Sequence, residues 1–179
     1  MIQHLIKLCI QKDKKAQREL YDMFADKLFA VGFRYLKSTA ESEDVVINSF
    51  LKIFDHLTTF EYKTDSGLYS WMKKILINEC LMVLRKKKQL NFASEDYFEG
   101  QETSVMPLSD LEEEDIFNMI LSLPNGYRIV FNLFAIEGFT HKEIAERLNI
   151  TEATSKSQLF KAKKTLQNLL VKQGISYGR

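Results

Sequence analysis

Residues 138–166 read GFTHKEIAERLNITEATSKSQLFKAKKTL, the pattern of two short helices joined by a tight turn. Thr140 and Glu143 have the spacing of a capping box, in which each side chain satisfies a free backbone N–H at the start of a helix. Asn149 tolerates the left-handed backbone conformation of a tight turn, and Thr151 is a preferred cap for the second helix. The stretch predicts a helix-turn-helix unit, whose second helix is typically placed in the DNA major groove.

The second helix of this unit has two different faces. Leu159, Ala162 and Leu166 recur at i, i+3 and i+7, which predicts a core-facing side. We assign to the opposite, DNA-facing side Thr154, Lys156, Ser157, Phe160 and Lys161. An amphipathic helix with outward lysines is most often only a solvated helix. Phe160 on the polar side favours a binding face, because an exposed aromatic ring usually has a partner.

The composition is typical of a soluble, mostly helical protein. The chain has 179 residues, 45% of them hydrophobic, enough for one large or two small domains. Only 7 glycines and 2 prolines favour helices over many turns. Cys9 and Cys80 have neither metal-ligand nor disulfide spacing, so we expect buried free thiols. With no signal peptide or membrane-spanning stretch in view, we expect a cytoplasmic protein that needs no cofactor and does not insert into membranes.

The net charge of +1 is low for a nucleic-acid-binding protein, but the charges are unevenly distributed. Residues 91–118 carry nine Asp and Glu residues and no Lys or Arg. Basic residues gather at 73–74, 85–88 and 156–164. The acidic segment therefore masks basic surfaces elsewhere.

Helical periodicity and turn residues divide the chain into two parts. Residues 16–88 are dense in apolar residues at helical spacing, and a second helical region begins at Ser109. The polar residues between them lack sustained periodicity. We predict an all-α fold with two small helical domains, 1–90 and 109–173, joined by a flexible acidic linker at 91–108 and followed by a tail at 174–179.

Four stretches, in this order, resemble an extracytoplasmic-function (ECF) sigma factor, a bacterial sigma factor that keeps only the region-2 and region-4 domains. The region-2 resemblance lies in AQRELYDMFADKLFAVGFRYL, ESEDVVINSFLKIF and LYSWMKKILINECLMVLRKKK. The region-4 resemblance lies in LPNGYRIVFNLFAIEGFTHKEIAERLNITEATSKSQLFKAKKTL. The resemblance implies a subunit that directs RNA polymerase to promoters and has no catalytic activity of its own.

The resemblance implies contacts with core RNA polymerase. Asp44, Ile47, Asn48 and Phe50 fall on the helix that docks on the clamp helices of the beta-prime subunit, and region 4 implies a contact with the beta flap. Ile47 stands where a glutamine is usual, and Asn48 where an acidic residue is usual.

The resemblance also implies two contacts with promoter DNA. Tyr62 and Asn78 fall where the family lines a pocket for a flipped-out base of the −10 element, and Lys73 and Lys74 would hold phosphates. The face of Lys156, Ser157, Phe160 and Lys161 falls where the family reads the −35 element. Trp71 is assigned to the core, because it lies one helical turn before Ile75. Control by an anti-sigma factor is implied as well.

Other interpretations remain open on the residues alone. The chain could be a helix-turn-helix regulator with an N-terminal sensing or dimerisation domain, although the aromatic and basic segment 60–88 favours a sigma factor. An enzyme is disfavoured, because the carboxylates cluster in the linker and the three histidines are scattered, which predicts surface residues. The acidic linker is either a solvated tether or a shield for the lysines.

Overall fold

The computed structural model describes residues 2–87 and 111–172, with side chains from 114 onward in the second range. Within these ranges the fold is all-α, as predicted, and it has no strand. The helices are α1 (Ile2–Ile10), α2 (Lys14–Leu36), α3 (Thr39–His56), α4 (Asp65–Lys86), α5 (Leu111–Ser122), α6 (Asn125–Phe131), α7 (His141–Leu148) and α8 (Glu152–Lys172). None of these helices has the length and apolar character needed to cross a membrane.

The chain divides into two compact units, Met1–Val83 and Leu84–Arg179, which confirms the two-domain organisation. The predicted linker at 91–108 and the tail at 174–179 lie outside the described residues. The predicted limits of the domains therefore stay a prediction.

In the first unit, α2 and α3 are separated by two residues only. Lys37 has a left-handed backbone (φ 57°), and its N–H closes the end of α2 on the Phe33 carbonyl. Ser38 then caps α3, accepting a hydrogen bond from Glu41 N at 3.4 Å. Residues 38–44 are polar, which is typical of a break between helices. The break itself takes up only Lys37 and Ser38, so most of this polar stretch forms the first turns of α3.

The core of the first unit comes from all four of its helices. Its fully buried side chains include Leu20, Leu28, Tyr35, Ile53, Leu68, Met72 and Leu76. Both cysteines are buried free thiols, as expected. Burial raises the pKa of the Cys9 thiol to about 11 and also raises that of Cys80. Both are thus kept in the unreactive protonated form at neutral pH.

The second unit is built from α5 to α8. Its buried residues include Leu123, Ile129, Val130, Leu133, Ile144 and Ala162. The guanidinium of Arg128 is buried in the turn between α5 and α6, where it donates to the Leu123 carbonyl at 3.0 Å and to Asn125 Oδ1 at 2.8 Å. Burial lowers the Arg128 pKa to about 10, so the group stays charged at neutral pH and holds this turn closed.

Residues 127–137 do not form a regular α-helix along their whole length. After α6 the backbone continues as a π-helical segment, Asn132–Ile136, in which Glu137 N donates to Asn132 O at 3.0 Å. The left-handed Gly138 (φ 77°) then turns the chain toward α7. The segment brings Phe134 against His141 at the start of α7.

Candidate nucleic-acid interface

The helix-turn-helix unit has the caps that the sequence predicts. Thr140 Oγ1 accepts from Glu143 N at 3.2 Å, and Thr140 N donates to Glu143 Oε2 at 2.8 Å. Asn149 is left-handed (φ 55°), and Thr151 Oγ1 accepts from Thr154 N at 3.0 Å. These bonds satisfy helix-end N–H groups that would otherwise lack partners, so α7 and α8 begin at fixed residues.

The outward face of α8 presents an aromatic ring among polar groups. The Phe160 side chain is 68% exposed, and Lys156 and Ser157 are exposed beside it. On the opposite side Leu159 and Ala162 are buried, as predicted, and Leu166 is half-buried. A large exposed ring on a basic helix suits contact with a nucleic acid, since lysines attract phosphates and the ring can pack on bases or sugars.

Other side chains of α8 are partly or fully covered by the second unit. Lys161 is half-buried, with Nζ 5.9 Å from the centre of the Tyr127 ring. Thr154 is half-buried, and its hydroxyl lies 2.9 Å from that of Thr151. Gln158, which stands where the family often has an arginine, is buried in the second unit and does not face outward.

His141 is not the simple surface residue that the scattered histidines suggested. It begins α7, its ring is stacked on Phe134 at 4.5 Å, and its Nδ1 lies 2.9 Å from Ser155 Oγ. Ser155 is fully buried on the inner side of α8. No local sequence pattern predicts this contact, because the two residues are 14 positions apart and lie on different helices.

The loop between α3 and α4 is ordered by its own aromatic and polar side chains. The Phe60 ring stacks on Trp71 at 4.6 Å, so this aromatic folds back onto the unit. The Tyr62 hydroxyl donates to Asp65, a bond that raises the pKa of the phenol above its ordinary value. Thr64 Oγ1 accepts from Gly67 N at 3.0 Å and starts α4. The half-buried Tyr62 ring is therefore fixed beside the first turn of α4.

The structure separates the two predicted phosphate-binding lysines of α4. Lys74 and Asn78 are exposed and lie one helical turn apart on the same face. Lys73 is half-buried, with Nζ 5.6 Å from the centre of the Tyr69 ring. Neighbouring residues of a helix point about 100° apart. Lys73 and Lys74 thus belong to different sides of α4.

On the outer face of α3, one residue predicted to contact a partner is buried, and one residue that was not predicted is exposed. Asp44, Ile47 and Asn48 are exposed, as a docking face requires, but Phe50 is only 2% exposed. Its ring packs on Tyr21 at 4.7 Å, so Phe50 supports the helix from within and cannot touch a partner directly. Leu51, missed by the sequence analysis, is 59% exposed and lies one turn after Ile47, which is 51% exposed. Its i, i+4 spacing from Ile47 was a signal that could have identified it.

Within residues 2–87 and 111–172, no group of three or more His, Cys, Asp or Glu side chains could hold a metal ion. The candidate surfaces themselves consist of exposed aromatic, aliphatic, amide and charged groups. Such groups suit binding to macromolecules.

Family comparisons agree with this division of the chain. Residues 20–89 match the sigma-70 region 2 family, and residues 113–166 match the sigma-70 region 4 family.

Full-length relatives were found as well. The chain is 25% identical to the ECF RNA polymerase sigma factor SigW of Bacillus subtilis (strain 168), over 95% of this chain and 97% of that protein. It is 26% identical to the ECF RNA polymerase sigma-E factor of Haemophilus influenzae, over 93% of each. The fold is similar to that of the sigma factor RpoE from Bartonella quintana, solved with the anti-sigma factor NepR. The TM-score is 0.53 at 21% identity, covering 86% of this chain and 95% of that one.

Proposed function

Because the chain belongs to the ECF sigma factors of the sigma-70 family, we propose that it binds core RNA polymerase and directs transcription from promoters with its own −10 and −35 elements. The observation that carries this proposal is the outward face of α8, where Phe160 is exposed between lysines on a capped helix-turn-helix unit. A solvated helix has no need of such a ring.

For the −35 element, we assign the contacts to Thr154, Lys156, Ser157, Phe160 and Lys161. Lys156 and Lys161 supply positive charge for phosphates or guanine edges, and Ser157 supplies a short hydrogen-bonding group. Phe160 has the apolar surface to pack on a thymine methyl group or a sugar. To reach a phosphate, Lys161 must leave the Tyr127 ring and Lys156 must leave Glu152, whose Oε2 lies 4.0 Å from the Lys156 Nζ.

For the −10 element, we assign a base pocket to Tyr62 and Asn78, and a phosphate contact to Lys74. Removing a base from its stack costs a few kcal/mol, which stacking on an aromatic ring and hydrogen bonds to an amide offset. The loop that holds Tyr62 is braced by the Phe60–Trp71 stack and the Asp65 bond. Lys73 contributes charge from the neighbouring side of α4.

For core polymerase, we assign the docking surface to the outer face of α3, with Ile47 and Leu51 as its apolar centre and Asp44 and Asn48 beside them. Two exposed aliphatic side chains one turn apart gain free energy when a partner covers them. The partner is the beta-prime clamp helices, and the second unit contacts the beta flap.

The proposal makes the protein a cytoplasmic regulatory subunit and not an enzyme. It also implies control by an anti-sigma factor, since the structurally similar RpoE was solved with NepR. An anti-sigma factor that covers the α3 face or the α8 face would prevent assembly with polymerase or promoter binding, respectively.

The test is transcription in vitro with the full chain, core polymerase and a random promoter library. We expect the transcribed templates to share two sequence elements at a fixed spacing, and we expect Phe160→Ala to relax only the upstream one. A matched control is Lys7→Ala, on the exposed side of α1. Transcription no greater than that of core polymerase alone would contradict the proposal, and DNA binding without polymerase dependence would favour an ordinary regulator.

A further inference from the structure

His141 joins three elements of the second unit. Its ring is stacked on Phe134 of the π-helical segment at an interplanar angle of 23°, with 4.5 Å between ring centres. It begins α7, and its Nδ1 reaches Ser155 Oγ of α8 at 2.9 Å. The ring is thus fixed from one side by packing and tied at its edge to the helix whose outer face carries Phe160.

A contact at Ser155 affects the orientation of the outer face of α8. It is fully buried, and it directly precedes the exposed Lys156 and Ser157. Side-chain tips lie about 5–6 Å from a helix axis, so a rotation of α8 by about 10° moves them by about 1 Å. Because hydrogen bonds to base edges depend on distances within a few tenths of an ångström, such a shift lowers base discrimination.

The direction of the hydrogen bond depends on the charge of the ring. A neutral ring with its proton on Nε2 accepts the Ser155 hydroxyl proton at Nδ1, whereas a protonated ring donates from both nitrogens. For the tautomer with its proton on Nε2, protonation therefore forces Ser155 to become an acceptor and to redirect its own proton inside a buried site. Leaving a buried donor poorly satisfied is costly.

The charges that face His141 are of both signs. Lys156, Lys163 and Glu152 face the ring from α8, Phe134 of the π-helical segment is uncharged, and Lys142 and Glu143 follow it on α7. Desolvation and Lys156 lower the pKa of His141, Glu152 opposes them and Lys163 adds to them, and the pKa lies below its ordinary value. The ring is neutral above that pKa and becomes a third cation beside the two lysines as the pH falls through it.

We propose that neutral His141 is a positioning residue for α8, holding its outer face in register for the −35 element, and that protonating the ring lowers base selectivity. The inference rests on the proposed function, because it names a determinant of the same DNA-reading face. The extra positive charge attracts any DNA sequence alike, so selectivity, and not affinity, is the quantity that falls.

The test uses holoenzyme assembled from the full chain and core polymerase. Its affinity is measured for a cognate promoter and for the same promoter with a scrambled −35 element, at several pH values from 8 to 5.5. His141→Phe keeps a ring to stack on Phe134 but loses the bond, Ser155→Ala loses the other partner, and His141→Asn keeps a polar atom near the Nδ1 position without a titrating ring. His4→Asn, an exposed histidine of α1, is the matched control.

At pH 8 we expect His141→Phe and Ser155→Ala each to lower the ratio of the two affinities by about tenfold, with no further loss in the double variant because both remove one interaction. His141→Asn should keep most of the ratio and hold it constant with pH, whereas the ratios of wild type and His4→Asn fall in acid. Far-UV circular dichroism at the assay temperature checks that each variant is folded.

Equal losses of affinity on both promoters, or a pH dependence shared by wild type and His141→Asn, would overturn the positioning role. A wild type that does not distinguish the two promoters at pH 8 would instead overturn the proposed −35 recognition itself, and the inference with it.

Discussion

The outer faces of α3 and α8 are alike in their exposed apolar side chains and differ in the polar residues around them. Each helix exposes large apolar side chains that its own unit does not cover: Ile47 and Leu51 on α3, and Phe160 on α8. On α3 the exposed neighbours include Glu43, Asp44 and Asn48, together with Lys52, whose Nζ lies 2.6 Å from a carboxylate oxygen of Glu79, whereas on α8 they include Lys156 and Ser157, with the half-buried Lys161 beside them.

On both faces an exposed apolar group marks a candidate interface, and the charges around it favour one class of partner. Apolar surface gains free energy against any partner that excludes water. Carboxylates repel a phosphate backbone, while lysines are attracted to it. One small chain can therefore carry a face for a protein and a face for DNA without confusing them.

The largest effect is expected when charge is placed at the centre of the α3 face. We expect Ile47→Glu combined with Leu51→Glu to weaken binding to core polymerase by about a hundredfold, because the change removes two apolar contacts and buries two unpaired carboxylates. Competition with a labelled sigma factor for core polymerase measures this affinity. Met23→Glu, at an exposed position of α2, is the control, and equal behaviour of the two proteins would refute the assignment of the α3 face.

The second test removes the apolar centre of the α8 face. Phe160→Ala should lower holoenzyme affinity for a cognate promoter by about tenfold, since the ring loses its contact with bases or sugars. Affinity for a promoter with a scrambled −35 element, and affinity for core polymerase, should not change. The remote Lys172→Ala on the same helix is the control, and equal losses on both promoters would rule out base reading by Phe160.

The third test concerns charge alone. Lys156→Ala should reduce the slope of log affinity against log salt concentration by about one, because one phosphate contact and its released counterion are lost. Binding to core polymerase should keep its salt dependence. Titrating promoter binding at several salt concentrations, with Lys7→Ala for comparison, would show an unchanged slope if Lys156 does not contact phosphate.

The smallest expected effects are on the free energy of unfolding and concern the turns that precede α3 and α8. Both α3 and α8 follow a turn with a left-handed residue, Lys37 (φ 57°) and Asn149 (φ 55°). Lys37→Gly should raise the free energy of unfolding by about 0.5 kcal/mol, because glycine adopts this conformation without strain.

Asn149→Ala should lower the free energy of unfolding by about 1 kcal/mol, since alanine tolerates a left-handed backbone less well than asparagine does. Urea denaturation followed by circular dichroism measures both changes. A loss of stability in Lys37→Gly would mean that the lysine side chain contributes more than the backbone strain costs.

Local signals in the sequence were enough for much of this fold. The caps of α7 and α8, the turn at Asn149 and the buried stripe of α8 all depend on residues a few positions apart, so periodicity and capping rules predict them. Contacts between distant residues were not predictable in this way. Phe50 shares the helical spacing of Val46 and Ile53, so its burial could be predicted from the sequence, but its contact with Tyr21 of α2 could not.

The same reason explains the other corrections. Lys73 and Lys74 lie on different sides of α4 because adjacent residues of a helix point about 100° apart, but only the structure shows that Lys73 is the less exposed of the two. The stack of His141 on Phe134 depends on the π-helical segment, whose wider turns no residue pattern in the sequence announces.

The Phe60–Trp71 stack gives the molecule a built-in optical probe. Trp71 is the only tryptophan of the chain, and it lies half-buried beneath the loop assigned to the −10 element. Indole emission from the intact protein therefore originates in the first unit alone. A displaced loop or a base stacked nearby would alter its intensity and wavelength, so a rearrangement of this loop in the isolated protein can be followed in real time without attaching a dye.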